Sequence, residues 1–325
     1  MGLLFEGVTV GSFVALILFI AVMLGVNEAT RRSKVLSIVV YCVLPVVLAV
    51  LVYLGVLGSP TGKTWFGWIK VISALAGVYG FMLIRFTKLG ERRFAAIFPV
   101  AILTLNIVEA IYREFEVFAN YKILDVDPSG SAVLGGAWNI LNGMAGILCI
   151  VTLTGFVGIK VSKDKSRDMV WPDMIWMYII GYTLWNFAYV YNCISTRSMY
   201  AGVGILLAAI IAEYVFKRGV WLQHRAQILS FYVMCSLTID YQHSEYFQIL
   251  PTYSKGGLMT ISMISILFNV GVFAYMIYTI VKGRKNPLKE EIYSHTNYYK
   301  KSMFANNLLA ETPQTNYDSG LKNVM

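Results

Sequence analysis

The sequence predicts an all-α fold, a polytopic bundle of about nine transmembrane helices, and three observations carry that expectation. Hydrophobic residues fill 57% of the 325 positions and charged residues only 14%, against about 45–50% and about 25% in a soluble globular chain. The apolar residues gather into runs of about 20, the length a helix needs to cross a bilayer core at about 1.5 Å per residue. Lys and Arg then recur in every second connection between those runs. Together these exclude an ordinary soluble enzyme, a disordered or collagen-like chain and, with only 4 cysteines, a disulfide scaffold.

The first run, Gly7–Val26, lacks a basic leader and a small-x-small cleavage site and carries Glu6 ahead of it, so it reads as a retained span. Val35–Leu57 is aliphatic almost throughout. Trp65–Phe86 places Ser73, Ala76, Gly77 and Gly80 at the spacing that lets membrane helices approach closely. Phe94–Ile111 is the fourth span. The fifth, Ala137–Ile159, has Gly143, Gly146, Gly155 and Gly158 along it, and the sixth is Met174–Cys193. Tyr200–Phe216 is short. Trp221–Ile239 opens on Gln223, His224, Arg225 and Gln227 and is continuously apolar only from Ile228, and Leu258–Val281 is the last. A re-entrant eighth segment would reduce the count to eight and move the C-terminus to the other side.

Lys and Arg accumulate in cytoplasmic loops. Nine spans with the N-terminus outside and the C-terminus in the cytoplasm put Arg31, Arg32, Lys34, Lys88, Arg92, Arg93, Lys160, Lys163, Lys165, Arg167, Lys217, Arg218, Lys282, Arg284, Lys285 and Lys289 on one side. The net charge of +9 is then mostly topology, directed at anionic lipid headgroups, and implies no nucleic-acid partner. Residues 1–285 form one integral helix bundle in this reading. Residues 286–325 form a polar cytoplasmic tail.

Motifs suggestive of chemistry are weak. Gly58-Ser59-Pro60-Thr61-Gly62-Lys63-Thr64 lacks the first glycine of a phosphate-binding loop, since Leu57 stands there, and no strand precedes it. Cys42, Cys149, Cys193 and Cys235 are dispersed singly, and of the three histidines only His224 falls in a membrane segment. No metal or cofactor set emerges. The last span has no lysine for a retinal Schiff base.

Polar side chains at membrane depth are costly and collect at bundle interiors or wet cavities. Asn106, Glu109 and Arg113 lie within about 60° of one another on the fourth span at about 100° per residue. Glu109 and Arg113 have the i, i+4 order of a helical ion pair. Tyr182, Trp185, Asn186, Tyr189 and Asn192 share a face of the sixth span, and Asn139 and Asn142 share one of the fifth. Lys70 of the third, Glu109, Asn139, Asn142, Asn186, Tyr189 and Asn192 fall between the midplane and the outer surface. The expected ligand site is therefore an outward-facing polar and aromatic cavity of Lys70, Asn106, Glu109, Asn139, Asn142, Trp185, Asn186, Tyr189 and Asn192. Glu213 with His224 and Arg225, near the inner face, is the expected gate or proton-coupling group.

Five stretches carry a family resemblance: Asn27-Glu28-Ala29-Thr30-Arg31-Arg32, Trp138-Asn139-Ile140-Leu141-Asn142-Gly143, Trp185-Asn186-Phe187-Ala188-Tyr189-Val190-Tyr191-Asn192, Trp221-Leu222-Gln223-His224-Arg225-Ala226 and Asn286-Pro287-Leu288-Lys289-Glu290-Glu291. The chain resembles an uncharacterised family of multi-spanning bacterial membrane proteins, a domain of unknown function, over all but its last thirty or so residues. The resemblance implies a bacterial inner-membrane location and supplies no activity or site residue.

The residues point to a transporter or binder of a small polar or zwitterionic solute with a planar or apolar part. A membrane sensor or assembly subunit with a structural polar network is the alternative. An intramembrane lipid-modifying enzyme is the less favoured alternative, with the inner Glu213 and His224 group as its only candidate.

Overall fold

The computed structural model describes residues 2–59, 65–128, 130–238 and 247–309. His243, residues 310–325 of the expected tail, and all but the first two residues of the Gly58–Thr64 stretch lie outside them.

The described residues are mostly helical. The long helices are α1 Val10–Arg32, α2 Lys34–Tyr53, α3 Trp65–Phe86, α4 Ile97–Asn120 and α5 Ala137–Val151. They continue with α6 Trp176–Cys193, α7 Ser195–Phe216, α8 Trp221–Thr238 and α9 Lys255–Gly283, and a short α10, Asn297–Ala305, follows. Each expected apolar run is thus met by a helix. By length and composition, six of these are apolar enough to cross a membrane: α1, α2, α3, α4, α7 and α9. Helix α5 has only 15 residues. Helices α6 and α8 carry Tyr, Trp, Asn and Gln in place of aliphatic residues, and most of these side chains are buried in protein.

Local chemistry sets the boundaries. Thr9 caps α1 by accepting from the Ser12 amide while the Ser12 hydroxyl takes the Thr9 amide, a reciprocal box that satisfies two orphan donors. Ser33 then breaks the chain into α2, whose middle is a π-turn over Val39–Val43. The fourth helix runs on to Asn120, nine residues past the expected end at Ile111. The fifth stops at Val151, eight residues short of Ile159, and Gly155, with φ +62°, leads a 3₁₀ turn over Phe156–Gly158.

Successive helices run antiparallel. At one end, β1 (Phe5–Glu6) pairs with β6 (Leu250–Pro251), and β2 (Asp125–Val126) pairs with β3 (Ala132–Val133). At the other, β4 (Lys160–Val161) pairs with β5 (Met169–Val170) amid the basic connections. Helices α5 and α6 form the middle, with α4 and α9 on one flank and α7, α8 and α1 on the other; α3 packs on α8 and α2 lies outermost. The peripheral helices turn Phe13, Ile17, Leu18, Val46, Val50, Leu105 and Leu267 outward. An aliphatic outer surface of this kind suits hydrocarbon, not water.

Small residues set two close approaches. A Cβ on Gly80 would stand 1.9 Å from the Phe98 ring, and one on Gly146 would stand 2.7 Å from both Ile111 Cγ1 and Trp185 Nε1. Gly155 and Gly158, expected along the same span as Gly146, instead lie beyond the end of its helix, against Asp173 and Glu291.

The polar stretch from residue 286, expected as a tail, folds back onto the basic end. Ile292 and Tyr293 are buried, and α10 turns Tyr299, Ser302 and Met303 inward. The Asp173 carboxylate holds this segment by accepting from the amides of Ile292 at 3.1 Å and Tyr293 at 2.9 Å.

Candidate functional site

Helices α3, α4, α6, α7 and α8 line a cavity of about 160 Å³. Its walls are largely apolar, from Phe81, Leu103, Ile205, Leu222, Leu229 and Val233. Among them stand Lys70, Asn106, Asn186, Tyr189, Arg197 and Arg225. Five of the residues singled out from sequence therefore share this space: Lys70, Asn106, Asn186, Tyr189 and Arg225.

The charges are distributed differently from the sequence expectation. Glu109 does not pair with Arg113 four residues on; it takes the ammonium of Lys70 from α3, each side chain about a third exposed or less (32% and 27%). Arg113 turns to Glu116 at 2.8 Å and to buried Asp127 at the β2–β3 turn. A carboxylate held on the neighbouring connection competes well with one on the same helix, because helical i, i+4 pairs contribute only about 0.2–0.5 kcal/mol. Asn106 donates back to the Ile102 carbonyl at 2.8 Å.

Arg225 is the cavity's anomaly. It is 6% exposed, donates from Nη2 to Asn186 Oδ1 at 3.2 Å, and has no partner at Nε or Nη1. Among the described residues no carboxylate lies within 4 Å of it. The Tyr232 hydroxyl, on the same cavity wall, is likewise buried without a partner.

The aromatic face of α6 is mainly packing. Trp185 and Tyr189 stack with centroids 6.2 Å apart and planes at 13°, and Tyr182 meets Trp185 and Trp221 edge-on at 5.3 and 5.0 Å. Tyr182 and Tyr189 reach the cavity; Trp185, 1% exposed, lies behind them against Gly146.

Asn139, Asn142 and Asn192 belong to a second centre that the sequence reading did not find. All three turn to Glu114, which is fully buried on α4: Asn139 Nδ2 donates to Oε2 at 2.6 Å, Asn142 Nδ2 to Oε1 at 2.6 Å, and Asn192 Nδ2 to Oε1 at 3.3 Å. Ser265 and Ser262 of α9 extend the network, the first donating to Asn142 Oδ1 at 2.7 Å and the second accepting from Asn192 at 3.2 Å. A fourth span that ends at Ile111 leaves Glu114 outside the helix. Two asparagines three apart, with a third one helix away, were the available signal, because buried amides require acceptors.

The expected inner trio does not assemble. Glu213, fully buried, accepts from the backbone amides of Gly219 and Val220 at 2.5 and 3.0 Å and from the Tyr298 hydroxyl. It closes the turn into α8 and pins α10. His224 accepts the Asn27 amide at Nδ1 (2.9 Å) and donates from Nε2 to the Lys217 carbonyl (3.1 Å), the tautomer these partners require. Arg225, the next residue on α8, points away into the cavity. What joins the helices at this end is Asp168, which is fully buried and takes Arg31 at 2.7 Å, Gln223 at 2.8 Å and Ser166 at 2.6 Å, with Arg85 at 3.5 Å.

Outside the helices, the Asp173 carboxyl is displaced upward. Burial pushes it to about 6 from 3.8, against the donors from Tyr293, Thr154 and Ile292 that favour its charged form.

No curated protein and no solved structure matches the chain. A family model described as a family of unknown function, DUF5692, matches residues 6–305. The chain belongs to the DUF5692 family.

Proposed function

We propose that this chain is a multi-pass protein of the bacterial inner membrane that binds and carries a small solute bearing polar groups on a planar or apolar body. Nine spans, with the N-terminus outside and the C-terminus cytoplasmic, would put the β4–β5 end in the cytoplasm, consistent with the basic residues gathered there. The observation that carries the reading is the cavity between α3, α4, α6, α7 and α8, apolar-walled yet holding Arg225, Asn186 and Asn106. Apolar walls with a few converging polar groups are the usual composition of a small-molecule site.

The Glu114 network favours a structural role for the other polar centre. Its carboxylate is enclosed by amide donors from α5 and α6, and such a closed set specifies packing. The solute reading therefore rests on the Arg225 side alone.

The test is thermal-shift screening of the purified full chain against a metabolite panel, followed by uptake into proteoliposomes. Binding weakened by Asn186→Ala and Tyr189→Ala, and unaffected by Glu116→Gln, supports the cavity. Binding that survives both cavity variants unchanged places the site elsewhere.

A further inference from the structure

We infer that the cavity's ligand is a small monoanion, a carboxylate on a body of about one ring or a short branched chain, with its oxygens on Arg225. This rests on the cavity being the solute site and names what that site selects.

Charge comes first. The charged residues lining the cavity are Lys70, Arg197 and Arg225, and no Asp or Glu is among the described residues that line it. Lys70 has its counter-ion in Glu109. Arg225 has no carboxylate beside it: its hydrogen bond goes to the neutral amide oxygen of Asn186, and the side chain that neighbours it, Tyr182, brings a hydroxyl and no carboxylate. A guanidinium keeps its charge in a protein interior. Buried without a carboxylate, it needs an anion from outside the chain.

Hydrogen bonding agrees. The unpartnered Nε and Nη1 of Arg225 carry three N–H groups, and the Tyr232 hydroxyl adds another donor on the same wall. A carboxylate offers about four lone-pair sites to such donors, whereas a neutral amide or alcohol offers fewer and no charge. Ordered water would satisfy the donors and leave the charge unbalanced.

Size supplies the rest. A dry cavity of about 150 Å³ takes one benzene ring, and this one measures about 160 Å³. The apolar part of the ligand packs against Tyr189 and the aliphatic wall.

The experiment is calorimetric titration of the full chain in detergent with benzoate, its neutral isostere benzamide, toluene and laurate, at low and high chloride. Wild-type protein is expected to bind benzoate at least tenfold more tightly than benzamide. Arg225→Gln should lose at least tenfold in benzoate affinity while benzamide is unchanged, and Arg225→Lys should fall between. Laurate displacing benzoate would assign the anion to a bilayer-derived fatty acid, and failure to displace it to a free solute; both keep the carboxylate on Arg225. Benzamide or toluene binding as tightly as benzoate would overturn the inference and leave the cavity reading intact. If none of the four binds, the inference falls, and the metabolite panel decides the cavity reading. The wild-type comparison decides even where Arg225→Gln does not fold.

Discussion

Asn142 of α5 and Glu114 of α4 meet at 2.6 Å inside the bundle, and the same asparagine accepts from Ser265 of α9, so one amide joins three helices. Removing the carboxylate takes an acceptor from three buried amides, leaving Asn142 with the Trp185 carbonyl and Asn192 with Ser262, and a buried donor left unpaired costs about 1–3 kcal/mol. Glu114→Ala is therefore expected to lower the unfolding midpoint in detergent far more than Glu109→Ala, which breaks a partly exposed pair of about 0–1 kcal/mol. Equal midpoint shifts would remove Glu114 from its place as a packing centre.

Asp168 predicts a second large loss. Asp168→Asn leaves Arg85 buried beside a neutral group and Arg31 with Glu28 as its remaining carboxylate. Breaking a buried pair in this way costs about 3–5 kcal/mol. Denaturant unfolding should show it, and the double variant Asp168→Asn with Arg85→Met should recover part of the loss.

Close helix approach gives a steric test with an internal control. Gly146→Ala drives a methyl into Ile111 and Trp185, and overpacking of this kind costs about 1–3 kcal/mol. A Cβ on Gly271 of α9 meets nothing within 4 Å. Gly271→Ala should be neutral or slightly stabilising, since alanine is the better helix former by about 1 kcal/mol.

The 286–309 segment should respond to pH through Asp173. Its folded value of about 6 lies above the ordinary 3.8, so the folded state holds the proton more tightly. The associated stability is fully present below about pH 4, is lost as pH rises from there through about 6, and is then flat. Hydrogen exchange at Ile292 and Tyr293, corrected for intrinsic rate, should therefore slow on going from pH 7 to pH 5. Asp173→Asn should abolish that dependence.

Much of this architecture was legible in the sequence because the apolar period is strong. Runs such as Val35–Leu57 have no alternative to a buried or membrane helix. The sites were less legible, for two physical reasons. Hydropathy ends a segment where polar residues begin to cluster, so Glu114 falls outside the expected fourth span although the helix backbone continues to Asn120. Helical spacing also names which side chains share a face but not which neighbour that face meets. Lys70, Asn186 and Tyr189 group with Asn139, Asn142 and Asn192 by depth, yet the first three line the cavity and the others turn to Glu114. His224 and Arg225 diverge because consecutive helical residues point about 100° apart, and Glu213 is drawn away by the backbone amides of the turn it closes.

The central claim, a solute cavity open to the outer side, is tested most directly by labelling. Asn106→Cys places a thiol on the wall of the cavity that Lys70 and Arg225 also line. In intact cells a membrane-impermeant maleimide should modify this variant, the unsubstituted chain should stay unlabelled, and benzoate should protect the new thiol. Labelling that requires permeabilised cells, or that proceeds at the same rate with benzoate present, would contradict the account.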